Sequence, residues 1–234
     1  MKKIAYVGPS WAVRSFDNSS GYETDLNGGT NLIKEMGLLN EPGLEITSLA
    51  RLAATNIGCL NSILYENQDT KFDGIIWVYC GIISDLIHFL PISKKELFKS
   101  ENFWQIREEL NQRILSKIND LNIPVALIGA HSDVVNCDYP NITVIHPSWQ
   151  KFLGNDLRCG WEAEVAHREI IEINVTETNF KPSKSVVNLI VDTLGDWHNL
   201  EMLGVFNNVH PNRKGNELFA KEIKPSVYSF INNL

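Results

Sequence analysis

Long apolar runs are missing from this chain, and no stretch approaches the roughly 20 residues a helix needs to span a bilayer. The short run Ile4-Ala5-Tyr6-Val7 after Met1-Lys2-Lys3 is too brief for a signal-peptide core, and no small-residue cleavage site follows it. A cytoplasmic protein is therefore expected, and the sequons at Asn18, Asn141 and Asn174 read as chance matches. Cysteine is sparse as well. Cys59, Cys80, Cys137 and Cys159 form no Cys-x-x-Cys pair, which argues against a zinc site and against a disulfide scaffold. Positive charge is in deficit, with 21 Lys and Arg against 28 Asp and Glu and a net charge of -7. A surface of that sign gives no broad grip on nucleic acid or anionic lipid. There is no glycine-rich dinucleotide fingerprint and no Walker-type phosphate loop, so no nucleotide cofactor is expected. Internal repeats, low-complexity tracts and Pro/Gly/Ser linkers are also absent, which leaves residues 1–234 as one domain.

What is present is the composition of a soluble globular protein: 44% hydrophobic and 21% charged residues. Five short apolar runs, Ile4 to Val7, Leu44 to Ile46, Gly74 to Tyr79, Val125 to Ile128 and Ile142 to Ile145, are rich in β-branched residues and bounded by Gly, Pro, Asn or Asp. They read as buried strands. Between them Ile106, Leu110, Ile114, Ile118 and Leu121 recur at helical spacing, and Leu218, Phe219, Ile223, Val227, Phe230 and Ile231 form a stripe at the end of the chain. Strands alternating with helices predict a three-layer α/β/α fold around a mostly parallel five-stranded sheet, flavodoxin-like in plan. In such sheets the site lies beyond the carboxyl ends of the strands. Attention falls on the residues after Val7, Tyr79 and Ile128. The loops from Arg14 to Gly29 and from Ile87 to Asn102 are expected to shape the pocket.

The first strand runs into Gly8-Pro9-Ser10-Trp11. A serine after a glycine turn at a strand end is placed to act as a nucleophile, and its own N–H can face a developing oxyanion. Far along the chain, Asn207-Asn208-Val209-His210-Pro211-Asn212 precedes the last amphipathic helix. Imidazole titrates where a base for a serine hydroxyl is useful. Pro211 stops a helix from running smoothly through the histidine, and Asn212 suits a helix cap.

These blocks resemble those of the SGNH (GDSL-like) hydrolases. The Gly-x-Ser turn is similar to their first block, usually Gly-Asp-Ser, and His-Pro-Asn before an apolar helix is a close match to their last. The resemblance implies an esterase or acyl hydrolase acting on a small ester, such as an acetylated sugar, through an acyl-enzyme at Ser10. His210 would be the base, and the partner a small-molecule ester, with no cofactor or metal and no membrane or nucleic-acid partner. It also implies two further oxyanion donors. Asn56-Ile57-Gly58-Cys59-Leu60-Asn61 is similar to the second block, with Asn61 in the place of its glycine and Gly58 nearby. Gly81-Ile82-Ile83-Ser84-Asp85 is similar to the third, with Gly81 matching and Ser84 in the place of an asparagine. Trp11 is expected to wall the pocket.

The departure of greatest consequence is Asn207, where the family carries an aspartate that orients the histidine. An amide can hydrogen-bond the ring but cannot stabilise the imidazolium. A backbone carbonyl could take over, another acid such as Asp192 or Asp196 could approach, or the site could be crippled. A rival expectation is therefore a catalytically impaired protein that uses the same pocket for a ligand or partner. A third is an unrelated α/β domain in which the motif match is accidental. His131-Ser132-Asp133 lies at a strand end, but adjacent residues cannot fold onto one another as a triad. His146 and His198 lack the spaced partners of a metal site. Cys80 reads as a small core residue, and most of the six tryptophans as core.

Overall fold

The computed structural model describes residues 1–13, 15–17, 21–23, 31–51, 54–80, 85, 103–130, 134, 137–152, 206–207, 210–211 and 213–234. The elements in chain order are β1 (Lys2–Val7), α1 (Ser10–Val13), β2 (Ser15–Asp17), β3 (Gly21–Glu23), α2 (Asn31–Glu35) and β4 (Leu44–Ser48). There follow α3 (Asn56–Thr70), β5 (Gly74–Tyr79), α4 (Phe103–Asn119), β6 (Val125–Gly129) and β7 (Ile142–His146). The chain ends with α5 (Trp149–Phe152), β8 (Phe206–Asn207), β9 (His210–Pro211) and α6 (Arg213–Asn232). All five expected strands form. Each keeps its expected core, and several run one or two residues further.

Those five strands make one sheet in the order β4-β1-β5-β6-β7, and every pairing is parallel. Numbered by their sequence among the five, the order is 2-1-3-4-5, the doubly wound arrangement. Parallel strands covered on both faces should be apolar throughout, and β5 and β6 are buried at every position. Side chains alternate between faces with a period of two. Ile4, Tyr6, Ile76, Val78, Ala126 and Ile128 enter one core with α2 and α6. Ala5, Val7, Ile75, Trp77, Val125 and Leu127 enter the other with α3 and α4. The result is the expected three-layer α/β/α fold. The stripe of α6 is buried at Phe219, Ile223, Val227, Phe230 and Ile231, each worth about 1.5–3 kcal/mol relative to exposure. Phe219 anchors it, stacked on Trp149 with ring centroids 4.5 Å apart.

Two small antiparallel hairpins complete the description. β2 and β3 pair through Phe16 and Tyr22, within the loop expected to shape the pocket. β8 and β9 pair with Asn207 directly opposite His210. No helix among the described residues is long and apolar enough to cross a membrane.

Candidate functional site

In the 2-1-3-4-5 order the chain winds one way from β1 to β4 and the other way from β5 onward. The crevice between the carboxyl ends of β1 and β5 is the topological switch point, where α/β folds place their ligands. Val7 pairs with Trp77, and Ser10 and Cys80 each stand three residues further along. The serine turn and the segment after β5 thus flank that crevice.

The turn into Ser10 is held from several sides. The Gly8 carbonyl accepts from Arg51 N–H at 3.1 Å, and the Gly8 N–H lies close enough to the Cys59 thiol to favour its thiolate. Ala12 N–H donates to the Pro9 carbonyl at 2.8 Å, and the buried Tyr6 hydroxyl donates to the Ala12 carbonyl at 3.1 Å. Burial pushes the Tyr6 phenol well above its ordinary pKa, so it stays a neutral donor. Glycine is required at position 8 by close approach. A Cβ there would lie 2.7 Å from the Cβ of Val78 and 2.8 Å from that of Ala12. Ser10 and Trp11 open α1, their side chains outside the described set.

His210 arrives by a different route. The β8–β9 hairpin packs against β2, which begins two residues after α1 ends, and α6 packs against β2 and β9. The fold therefore brings the hairpin that carries Asn207 and His210 to the strand that follows the Ser10 helix. The side chains of both hairpin residues lie outside the described set. So do residues Gly81, Ser84, His131, Ser132, Asp133, Asp192, Asp196, His198 and the expected cap Asn212.

The second block folds differently from the expectation. Thr55 caps α3, its hydroxyl accepting from Gly58 N–H at 3.0 Å. Gly58 is thus in the first turn with its N–H used. Asn61 is exposed in the second turn, where its N–H belongs to the ladder directed at the Ile57 carbonyl. An N–H held in a helix ladder is not available to an oxyanion, so the donor expected at Asn61 is corrected. The loop between β4 and α3 instead continues the β4 edge along the end of β1, where Leu49 N–H bonds the Tyr6 carbonyl and Arg51 N–H the Gly8 carbonyl. Within that loop, residues 52 and 53 lie outside the described set.

Sequence reasoning also missed a buried polar cluster beside the crevice. Asn56 and Asp85 are both fully buried. Asn56 Nδ2 donates to the Cys80 carbonyl and to Asp85 Oδ2, each at 2.9 Å, while its Oδ1 accepts from Cys80 N–H at 3.0 Å. Asp85 Oδ1 accepts from Ile57 N–H at 2.9 Å, and the Asn56 N–H and the Thr55 hydroxyl lie close enough to favour the ionised carboxylate. Burial pushes the Asp85 pKa up, against these donors and the helix N-terminus, which favour the ionised form. Cys59, behind them, has its thiol pushed up to about 12, first by burial and then by the Asp85 charge. Cys80 is buried, its thiol 3.7 Å from the Ala54 carbonyl. The signal available in the sequence was the pair Thr55-Asn56 opening a helix.

His146 ends β7 with a structural environment. Its Nδ1 accepts from Ser148 N–H at 3.2 Å, and its ring meets Phe152 and Phe219 edge-on. Among the described residues no cluster of His, Cys, Asp or Glu could hold a metal ion.

No family model and no curated protein matches the chain. Among solved structures it is similar to the psychrotrophic esterase EstA from Pseudoalteromonas sp., at 12% identity over 99% of this chain and 100% of that one, with a TM-score of 0.44. It is also similar to the lipase/acylhydrolase from Enterococcus faecalis, at 13% identity over 97% of this chain and 95% of that one, with a TM-score of 0.40. Likeness at this level speaks to neither substrate nor mechanism.

Proposed function

We propose that this protein is a serine esterase or acyl hydrolase acting on a small ester through an acyl-enzyme at Ser10. The observation that carries the reading is the placement of Ser10 at the carboxyl end of β1, beside the switch-point crevice, with the His210 hairpin packed on the strand that follows. The two segments lie far apart in the chain, and they are the ones that resemble the first and last hydrolase blocks.

In this mechanism Ser10 Oγ attacks the ester carbonyl while His210 takes its proton. The carbonyl electrons move onto oxygen, and the oxyanion is held by the Ser10 N–H, by an N–H of the loop between β4 and α3, and by Ser84. Collapse breaks the ester C–O bond, and His210 returns the proton to the leaving alcohol. Water, deprotonated by His210, then cleaves the acyl-serine and releases the acid. Loss of a single oxyanion donor typically costs about 10²–10³ in kcat, so a donor set without the usual asparagine implies slow turnover. Asn207, paired with His210 in the hairpin, holds the sequence position at which the resembled family carries its aspartate. Its amide oxygen can accept from a ring N–H but brings no charge.

Treatment with a fluorophosphonate followed by intact-mass measurement tests the reading, with Ser10→Ala as control. A single adduct that vanishes in the control is expected. No adduct on folded wild-type protein would overturn the hydrolase reading in favour of a ligand- or partner-binding protein that uses the same crevice.

A further inference from the structure

A fully buried carboxylate is an expensive way to fasten a loop, since apolar side chains of equal volume are often as stabilising or more so. Asp85 nevertheless serves here. Two donors bond it directly, Ile57 N–H and the Asn56 amide, each at 2.9 Å, with the Asn56 N–H and the Thr55 hydroxyl close enough to favour its ionised form. Both bonds come from the first turn of α3. Asn56 then reaches across to the end of β5, taking both the N–H and the C=O of Cys80. One turn of helix, the end of a strand and Asp85 are therefore joined by directional bonds.

The same helical turn also reaches the nucleophile. Cys59, next on α3, lies beside the Gly8 N–H, and Gly8 cannot retreat because it already lies against Val78 and Ala12. Its carbonyl is taken by Arg51. A displacement of the α3 N-terminus would be passed to Gly8, two residues before Ser10, and to Asp85, one peptide bond after Ser84. Ser10 is thus joined to this hub through Gly8, and Asp85 is the residue that follows Ser84 in the chain.

Resting on the hydrolase reading, we propose that Asp85 and Asn56 are positioning residues of the ester-cleaving site. They lock the α3 N-terminus to the end of β5, so that the Ser10 turn and Asp85 keep a fixed separation. Neither residue touches the reacting atoms. Their effect is carried by geometry, and a misplacement of about 1 Å at such a site can cost about 100-fold in rate.

The experiment compares wild type and Asp85→Asn in fluorophosphonate labelling and in hydrolysis of 4-nitrophenyl acetate, well below the melting temperature of each. Labelling amplitude reports the folded fraction, and labelling rate reports the geometry. The expected result is full amplitude in both proteins, with rate and kcat lower by about 10- to 100-fold in the variant and KM changed less than about twofold. An unchanged rate in a fully labelled variant overturns the inference alone. Absence of Ser10 labelling in the wild type overturns the hydrolase reading and the inference with it. Should Asp85→Asn fail to fold, Cys59→Ala and Cys59→Ser serve instead. Serine retains an acceptor for the Gly8 N–H and alanine does not, so labelling is expected to be faster in Cys59→Ser. Equal or reversed rates overturn the proposed coupling.

Discussion

The orientation of the Asn56 amide toward Asp85, at 2.9 Å, is dictated by Cys80. Because Cys80 N–H must meet Oδ1 and its carbonyl must meet Nδ2, the amide cannot flip without losing both bonds. Asn56 therefore always presents N–H to Asp85. An asparagine at position 85 has the right size and the wrong chemistry, since at least one of its atoms would set N–H against N–H.

Asp85→Asn is accordingly expected to destabilise the fold by about 1–3 kcal/mol, the cost of leaving buried donors unsatisfied. At roughly 2–4 °C per kcal/mol for a chain of this size, the melting temperature falls by about 2–12 °C. The pH dependence has a definite sign. Burial raises the Asp85 pKa in the folded protein, so the native state holds this proton more tightly than the unfolded chain does. Its contribution to stability is fully present below the unfolded pKa and is lost as pH rises through the folded one. The stability gap between wild type and variant should be widest in acid and narrow toward neutrality. Denaturant melts at a series of pH values check this, and a gap that widened with pH would reverse the assigned shift.

Asn207→Asp is expected to raise kcat. In serine proteases the opposite change costs about 10⁴ in kcat, because an amide neither stabilises imidazolium nor enforces the productive tautomer. A gain of about tenfold or more in ester hydrolysis, with little change in KM, would show that the missing charge limits the reaction. No gain would mean that another group already serves His210.

Gly8→Ala is expected to act on both stability and labelling. The added methyl would lie within 2.9 Å of Val78 Cβ, Val78 O and Ala12 Cβ, none of them the end of a flexible side chain. Overpacking of this kind costs about 1–3 kcal/mol. Because relief must come from movement of the turn itself, the fluorophosphonate labelling rate at Ser10 should fall even in fully folded protein.

Phe219→Ala probes the opposite face of the sheet. The ring stacks on Trp149 and contacts His146 and Phe152, and it is fully buried. Truncation is expected to cost about 3–5 kcal/mol. Since α6 also packs on β2 and β9, loosening its start should slow labelling as well as lower the melting temperature, and calorimetry beside the labelling assay separates the two effects.

The local patterns of this chain were sufficient for its architecture. A strand buried on both faces is a short run of β-branched residues wherever it occurs, and a helix shows its stripe at 3.6-residue spacing, so β1, β4, β5, β6, β7, α4 and α6 were legible from neighbours in the chain. Gly8 was legible for a similar reason, as a turn at a strand end. Asn61 was misjudged because its role depended on where α3 begins, and that start is decided by the Thr55 hydroxyl reaching Gly58 N–H. Thr55-Asn56 could be read as a helix start, but the pairing of Asn56 with Asp85 could not. Its members lie 29 residues apart on either side of a strand, and each looks like an ordinary polar residue in a loop or at a helix start. Only the parallel register that sets β5 beside β1, and the packing of α3 over the same face, brings an amide, a carboxylate and a strand end within 3 Å of one another. Periodicity is a property of adjacent residues, whereas a site is a coincidence of distant ones, and that coincidence is decided by tertiary structure.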